Sequence, residues 1–239
     1  MPKALYEGIY REIRSRIVDG TYGFQEMLPT EAELTEEFGC TRNTVRRAIS
    51  MLADEMFVQS IHGKGVRVIW LKGEGGMTGD LEEIESFGEY AKRNNAVAST
   101  EVKLFEHLVC TEQLSRRLGF KTGEPLIRLV RVRSLNGNAR QVDHDYLLES
   151  VVHGLTPEIA GRSIYGYLEG KLGVKVAASR RTVSVELAND EDYSYLDLGK
   201  YNCVAVMESQ SYTSDGILFE VTHARTHPEI FHYRVNSRR

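Results

Sequence analysis

Arg131 and Arg133 stand two apart in the run Leu129-Val130-Arg131-Val132-Arg133. In a β-strand that spacing puts both guanidiniums on one face, and two planar forks side by side can grip a phosphate or carboxylate. Asp143 follows the turn signal Asn136-Gly137-Asn138. If those three residues are the loop, Asp143 lies opposite Arg131. A salt-bridge ladder on a solvated sheet face would use the same residues, so the pair alone leaves anion binding and structural pairing equally open. Ser163 precedes Ile164-Tyr165-Gly166-Tyr167-Leu168, where a helix N-cap is expected, and a helix start offers N–H groups to an anion. It would serve equally well as a plain cap. Ser86 opens a short helix in the same way before Phe87-Gly88. Glu220 lies between Phe219 and Val221, and a carboxylate buried on a strand needs a partner. A sugar hydroxyl or one of the arginines would serve.

A second group of residues suits DNA. Arg42, Asn43, Arg46, Arg47 and Ser50 fall on the side of a helical period opposite Val45, Ala48, Ile49, Leu52 and Met56. No acidic residue occurs from Phe38 to Ala53. Arginine reads guanine edges or phosphates and asparagine can pair with adenine. A solvated basic face on an ordinary helical hairpin would look the same in isolation.

The elements that position this face are legible. Thr30 and Glu33 have capping-box spacing behind Pro29. Leu34 and Phe38 bury one side of a short helix, Gly39 ends it, and Thr41 caps a second helix running to about Met56. Upstream, Leu5, Ile9, Ile13 and Ile17 recur every four residues in a helix ending at Asp19-Gly20. Downstream, Phe57–Ile61 and Val66–Trp70 read as strands around His62-Gly63-Lys64-Gly65. The glycines permit close approach of backbone to DNA, and His62 and Lys64 offer donors to phosphates or the minor groove. Helix, helix, helix, hairpin is the order of a winged helix-turn-helix.

Composition sets the bounds. The 239 residues are 41% hydrophobic and 27% charged, which fits a globular chain of one large or two modest domains. The net charge is −4, so DNA affinity has to come from local placement of charge and from dimerisation. Three widely separated cysteines, Cys40, Cys110 and Cys203, give neither a disulfide framework nor metal-ligand spacing. No cofactor or metal is expected. No signal pattern opens the chain and no apolar run approaches membrane length, so a cytoplasmic protein is expected.

Four glycines fall within Lys72–Gly79, which reads as a flexible linker. It separates a DNA-binding domain, residues 1–71, from a second domain, residues 80–239. Helices are expected at Glu82–Asn94, Thr111–Leu118, Ser163–Leu172 and Asp190–Leu196. Strands are expected at Val102–Val109, Leu126–Leu135, Arg140–Leu148, Val176–Leu187, Cys203–Tyr212 and Ile217–Thr226, with a last one over Phe231–Val235. Strands joined by short turns make an antiparallel α+β fold.

From Leu5 to Trp70 the chain resembles the winged helix-turn-helix of the GntR regulators. The resemblance rests on Leu28-Pro29-Thr30-Glu31, Thr41-Arg42-Asn43-Thr44-Val45-Arg46 and His62-Gly63-Lys64-Gly65. It implies DNA contacts at Thr41, Arg42, Thr44, Arg46, His62 and Gly63. Ala32 stands where some members place an arginine against the phosphates. The remainder resembles the UTRA effector domain of the HutC branch, a fold similar to chorismate lyase. Arg131, Arg133, Asp143, Ser163, Tyr165 and Glu220 match positions that bind sugar phosphates in relatives, and Ser86 matches as well. The run Ser163–Gly173 is especially similar to repressors of trehalose operons, which implies trehalose 6-phosphate as effector. Thr226 occupies a place where a ligand-touching tyrosine is common.

The expected function is a homodimeric repressor that binds a palindromic operator and answers to a phosphorylated sugar. The alternatives are another ligand, such as glucosamine 6-phosphate, an amino-acid derivative or a fatty acid, and a lyase-like enzyme. Two arginines on one strand face argue against an apolar fatty-acid tunnel. The chain offers no phosphate-binding glycine loop, metal spacing or nucleophile motif for an enzyme.

Overall fold

The structure is a computed structural model that describes residues 2–71, 79–80 and 84–234. It divides into two compact units, Met1–Gly75 and Gly76–Val235. The expected linker lies outside the described residues except for Gly79, which belongs to a short strand.

In the first unit α1 (Pro2–Val18), α2 (Glu31–Glu37) and α3 (Arg42–Asp54) are followed by a hairpin of β1 (Val58–Ile61) and β2 (Gly65–Val68). Its core joins Ile9, Ile13 and Ile17 to Leu34, Val45, Ala48, Ile49, Leu52, Phe57, Val58 and Val68. Leu5 is exposed, and Tyr6 is buried in its stead. A spacing of four overshoots a helical turn by about 40° each step, whereas Tyr6 lies seven residues, nearly two whole turns, before Ile13. Arg47 stacks its guanidinium 4.0 Å from the Tyr6 ring centre. The α3 stripe ends at Leu52. Met56 lies beyond the helix in a left-handed turn at φ 60°.

The second unit is built on a six-stranded sheet in the order β4-β5-β6-β9-β8-β7, antiparallel throughout. Its strands are β4 (Ala98–Val109), β5 (Pro125–Leu135), β6 (Asn138–Leu148), β7 (Val176–Leu187), β8 (Cys203–Thr213) and β9 (Leu218–Thr226). Helix α4 (Phe87–Arg93) precedes the sheet, and α5 (Glu112–Leu118), α6 (Pro157–Ala160), α7 (Ile164–Tyr167) and α8 (Asp190–Tyr195) lie in the connections between its strands. A large core joins Leu126, Ile127, Leu129 and Leu147 to Ile164, Leu168 and Phe219. A smaller cluster buries Val130, Val142, Val204 and Val206 under Leu196 and Leu198.

Three expectations need correction. The helix expected over 82–94 begins at Phe87, where Ser86 and Glu89 form a capping box; residues 81–83 lie outside the described ones. The helix expected over 163–172 is one α turn followed by a π turn at Leu168–Leu172, which Gly173 ends at φ 69°. The short run weakens the axial dipole that a long helix would offer. The final strand, β10 (Tyr233–Arg234), does not extend the sheet. It pairs in parallel with β3 (Gly79–Asp80), and the Tyr233 ring fills the space where a side chain at residue 79 would stand.

Candidate functional site

In the first unit the expected DNA-contacting residues occupy two places. The Thr41 hydroxyl caps α3, accepting from the Thr44 amide at 3.3 Å and lying 2.9 Å from the Thr44 hydroxyl. Arg42, Asn43 and Arg46 are exposed and Thr44 is half-buried. His62, Gly63 and Lys64 form the exposed turn of the hairpin, with Gly63 at φ 69°. Arg46 is engaged: its Nε lies 2.9 Å from both carboxylate oxygens of Glu31 on α2. An exposed pair of this kind is weak, so Glu31 can release the guanidinium to a phosphate.

In the second unit the expected effector residues converge on a cavity of about 160 Å³. Its floor is the sheet, and its walls are the start of α4, with Ser86 and Phe87, and the start of α7, with Arg162, Ser163 and Tyr165. The β5–β6 hairpin sets the arginines in place. Arg131 pairs with Asp143 across the ladder, as expected, by a different route. The loop is the two residues Asn136 and Gly137, both at positive φ, as a primed turn requires. A bulge beside Arg133 takes up the extra residue and restores the register.

The arginines are buried, and each leans on an aspartate. Arg131 holds Asp145 through Nε at 2.8 Å and Nη2 at 2.7 Å, and its Nη1 donates to the Ala160 carbonyl at 3.5 Å. Arg133 donates from Nε to Asp143 at 2.8 Å and from Nη1 to the Thr100 hydroxyl at 3.1 Å. Its guanidinium sits 5.4 Å from the centre of the Phe87 ring. Among the described residues its Nη2 makes no hydrogen bond. The second oxygens of the aspartates accept from Gln141, at 2.6 Å on Asp143, and from Thr222, at 2.8 Å on Asp145. Burial works against the Asp143 charge, yet Arg133 and Arg131 outweigh it and hold this carboxyl below the usual range. At Asp145 burial prevails and raises the pKa.

Glu220 has a partner that the sequence did not indicate. The Tyr165 hydroxyl donates to its carboxylate at 2.7 Å and lies 3.1 Å from Ser211 Oγ. Burial, with the nearby Asp145 charge, pushes the Glu220 carboxyl up to about 7. Burial and Glu220 also raise the Tyr165 phenol. Ser163 accepts from the Gly166 amide at 3.0 Å, and the Ser86 hydroxyl donates to Glu89 at 2.7 Å. Thr226 donates to Gln141 at 3.1 Å. Sequence reasoning missed Asp145, Gln141, Arg162 and Arg181. Asp145 carried the same signal as the arginines, a charge two residues from Asp143 on a buried strand.

The cavity can hold a polar ligand with an anionic group. Among the described residues no cluster of His, Cys, Asp and Glu could bind a metal ion, and no helix is long and apolar enough to cross a membrane.

Two family models match the chain. Residues 5–68 match the bacterial regulatory proteins of the gntR family, and residues 93–232 match the UTRA domain. The chain is 32% identical to the HTH-type transcriptional regulator TreR of Bacillus subtilis, over 94% of this chain and 93% of that one. The crystal structure of the possible transcriptional regulator YydK from the same organism superposes with a TM-score of 0.75 at 22% identity, covering 98% of this chain and 99% of that one. The effector-binding domain of the B. subtilis trehalose repressor gives a TM-score of 0.53 at 29% identity, over 59% of this chain and 98% of that one. These relatives are transcriptional regulators, which sets the enzyme reading aside. With a DNA-binding winged helix and an effector-binding UTRA domain, the chain belongs to the GntR family of transcriptional regulators, in its HutC branch.

Proposed function

We propose that this regulator is a cytoplasmic homodimeric repressor that binds a palindromic operator and is controlled by a phosphorylated sugar, trehalose 6-phosphate. Arg133 carries the effector reading: it is buried in the cavity beside Ser86, Ser163 and Tyr165, with Nη2 uncommitted among the described residues. A guanidinium nitrogen on a cavity wall with no partner among the described residues invites an anionic oxygen. The similarity to the trehalose repressor of B. subtilis supports the choice of sugar. A thermal-shift panel of phosphorylated sugars tests it, since a ligand of the native state raises apparent stability. Trehalose 6-phosphate should give the largest shift and should release operator DNA. A larger shift from glucosamine 6-phosphate would replace it as effector.

Arg133→Lys keeps a charge against Asp143 and loses the fork. The response to trehalose 6-phosphate should weaken by roughly 10- to 100-fold, the usual range for one charged hydrogen bond. Operator affinity without effector should be unchanged. An unaltered response would place the phosphate elsewhere.

On the DNA side the proposed contacts are Thr41, Arg42, Asn43, Thr44 and Arg46 with the turn His62-Gly63-Lys64. Arg46→Ala should weaken specific binding by ~1–3 kcal/mol and leave thermal stability nearly unchanged, because its pair with Glu31 is exposed. Normal operator affinity in that variant would mean that α3 presents another face. Footprinting should show two half-sites related by a dyad; protection of a single isolated half-site would argue against the dimer.

A further inference from the structure

The cavity floor does not stop at Glu220. Strand register places Thr222 beside Asp145, Ser209 beside Thr222, and Arg181 beside Ser209. One row of side chains therefore crosses the sheet from the buried arginine–aspartate cluster to the edge strand β7. Ser179, Arg181, Met207, Ser209 and Thr222 all line the same cavity as Arg133 and Ser163. From β5 to β7 there are four inter-strand steps, about 19 Å at about 4.8 Å each. That floor is longer than one pyranose ring with its phosphate.

The two ends differ in chemistry. The β5–β6 end holds two guanidiniums and two carboxylates at close quarters. The β7–β8 end offers hydroxyls, one guanidinium and the Met207 thioether, with no carboxylate from either strand lining it. Arg181 faces inward: its charge bears on the phenols of Tyr165 and Tyr233, both cavity residues. The Ser179 hydroxyl is buried without a hydrogen-bond partner, a state that native interiors rarely keep. Donors and acceptors beside a small apolar patch match an uncharged sugar ring, which shows hydroxyls at its rim and C–H groups on its faces.

We propose that Arg181 and Ser209, with Ser179 two residues from Arg181 on the same face of β7, form a second-sugar subsite that holds the unphosphorylated ring of a disaccharide phosphate and sets its preference over a monosaccharide phosphate. This rests on the reading of the cavity as a phosphorylated-sugar site and assigns its specificity to the β7–β8 end.

Calorimetric titration of the full chain with trehalose 6-phosphate, sucrose 6-phosphate, glucose 6-phosphate and inorganic phosphate tests the assignment. The wild type should bind one of the disaccharide phosphates at least about 10-fold more tightly than glucose 6-phosphate. Arg181→Gln should remove most of that advantage and leave glucose 6-phosphate affinity within about twofold. Ser209→Ala should lower the advantage in the same selective way, and it carries the test if Arg181→Gln does not fold. Equal affinity of the wild type for glucose 6-phosphate and the disaccharide phosphates overturns the inference and leaves the phosphorylated-sugar reading standing. Equal weakening of all ligands by Arg181→Gln also overturns it, by placing Arg181 on the phosphate. Binding of no phosphorylated sugar by the wild type removes the underlying reading and this inference with it.

Discussion

Arg131→Ala is expected to destabilise the effector domain by about 3–5 kcal/mol, the usual loss when one partner of a buried ion pair is removed. Arg131 is 3% exposed and Asp145 is fully buried, so water cannot take over the carboxylate. The guanidinium covers Asp145 with two nitrogens and ties the floor to the Ala160 carbonyl. Without it, Asp145 keeps the Thr222 hydroxyl as its hydrogen-bond donor and faces Asp143 and Glu220 with only the more distant Arg133 charge to offset them. Urea unfolding followed by fluorescence measures the loss. Arg131→Met with Asp145→Leu should recover most of it, because removing both charges also removes their desolvation cost. A single variant as stable as the wild type would show that the pair does not hold the sheet. This separates the two arginines by role. Arg131 spends its fork on the scaffold, and on the proposed reading Arg133 keeps a nitrogen for the ligand.

That division explains what the sequence could and could not reveal. The alternation in Leu129-Val130-Arg131-Val132-Arg133 was enough to put both arginines on one face, and Asp143 was placed opposite Arg131. Whether the face was solvated or buried was not written in the alternation. It depended on α4 and α7 closing over the sheet, a tertiary fact. The register shows the same limit. A three-residue loop and a two-residue loop with a bulge place Asp143 identically, so the count of residues could not distinguish them.

The winged unit was more legible because its signals are local. Thr30 with Glu33, Gly39 and Thr41 each act within one turn of helix. Leu5 misled because a spacing of four drifts around the helix, and Tyr6 is the better-aligned residue. In the second unit the helix expected over 163–172 broke into an α turn and a π turn. Nothing local in Leu168-Glu169-Gly170-Lys171-Leu172 announces that change beyond the single glycine. The Tyr165–Glu220 contact spans 55 residues, and a pairing so distant in sequence carries no pattern at all.

Glu220 leads to a pH dependence of large expected size. Its carboxyl, buried and close to Asp145 and Asp143, is raised to about 7 from an ordinary value of 4.5, with the Tyr165 hydroxyl and Arg131 pulling the other way. Between those two values the native state holds a proton that the unfolded chain has released. Stability from this group is therefore complete below about pH 4.5, falls as pH rises, and is gone above about 7. A shift of this size amounts to something on the order of 3 kcal/mol. Asp143 acts in the opposite sense, but its depressed carboxyl matters only below the ordinary carboxylate range. Burial also raises the Asp145 carboxyl and lowers the His223 imidazole, so the informative quantity is a difference between two proteins. Glu220→Gln keeps the shape and an acceptor for Tyr165, and it cannot take up the proton. Its unfolding free energy, measured in urea from pH 5 to 7, should change with pH less steeply than the wild type by about one proton, roughly 1.4 kcal/mol per pH unit. Parallel curves would mean that Glu220 is ionised throughout, held by Tyr165 and Arg131 against its burial. On the proposed effector reading the proton also bears on the ligand. A neutral Glu220 can donate to a sugar oxygen, and an ionised one can only accept. Effector affinity of the wild type should therefore change across the same pH range, and Glu220→Gln should flatten that change.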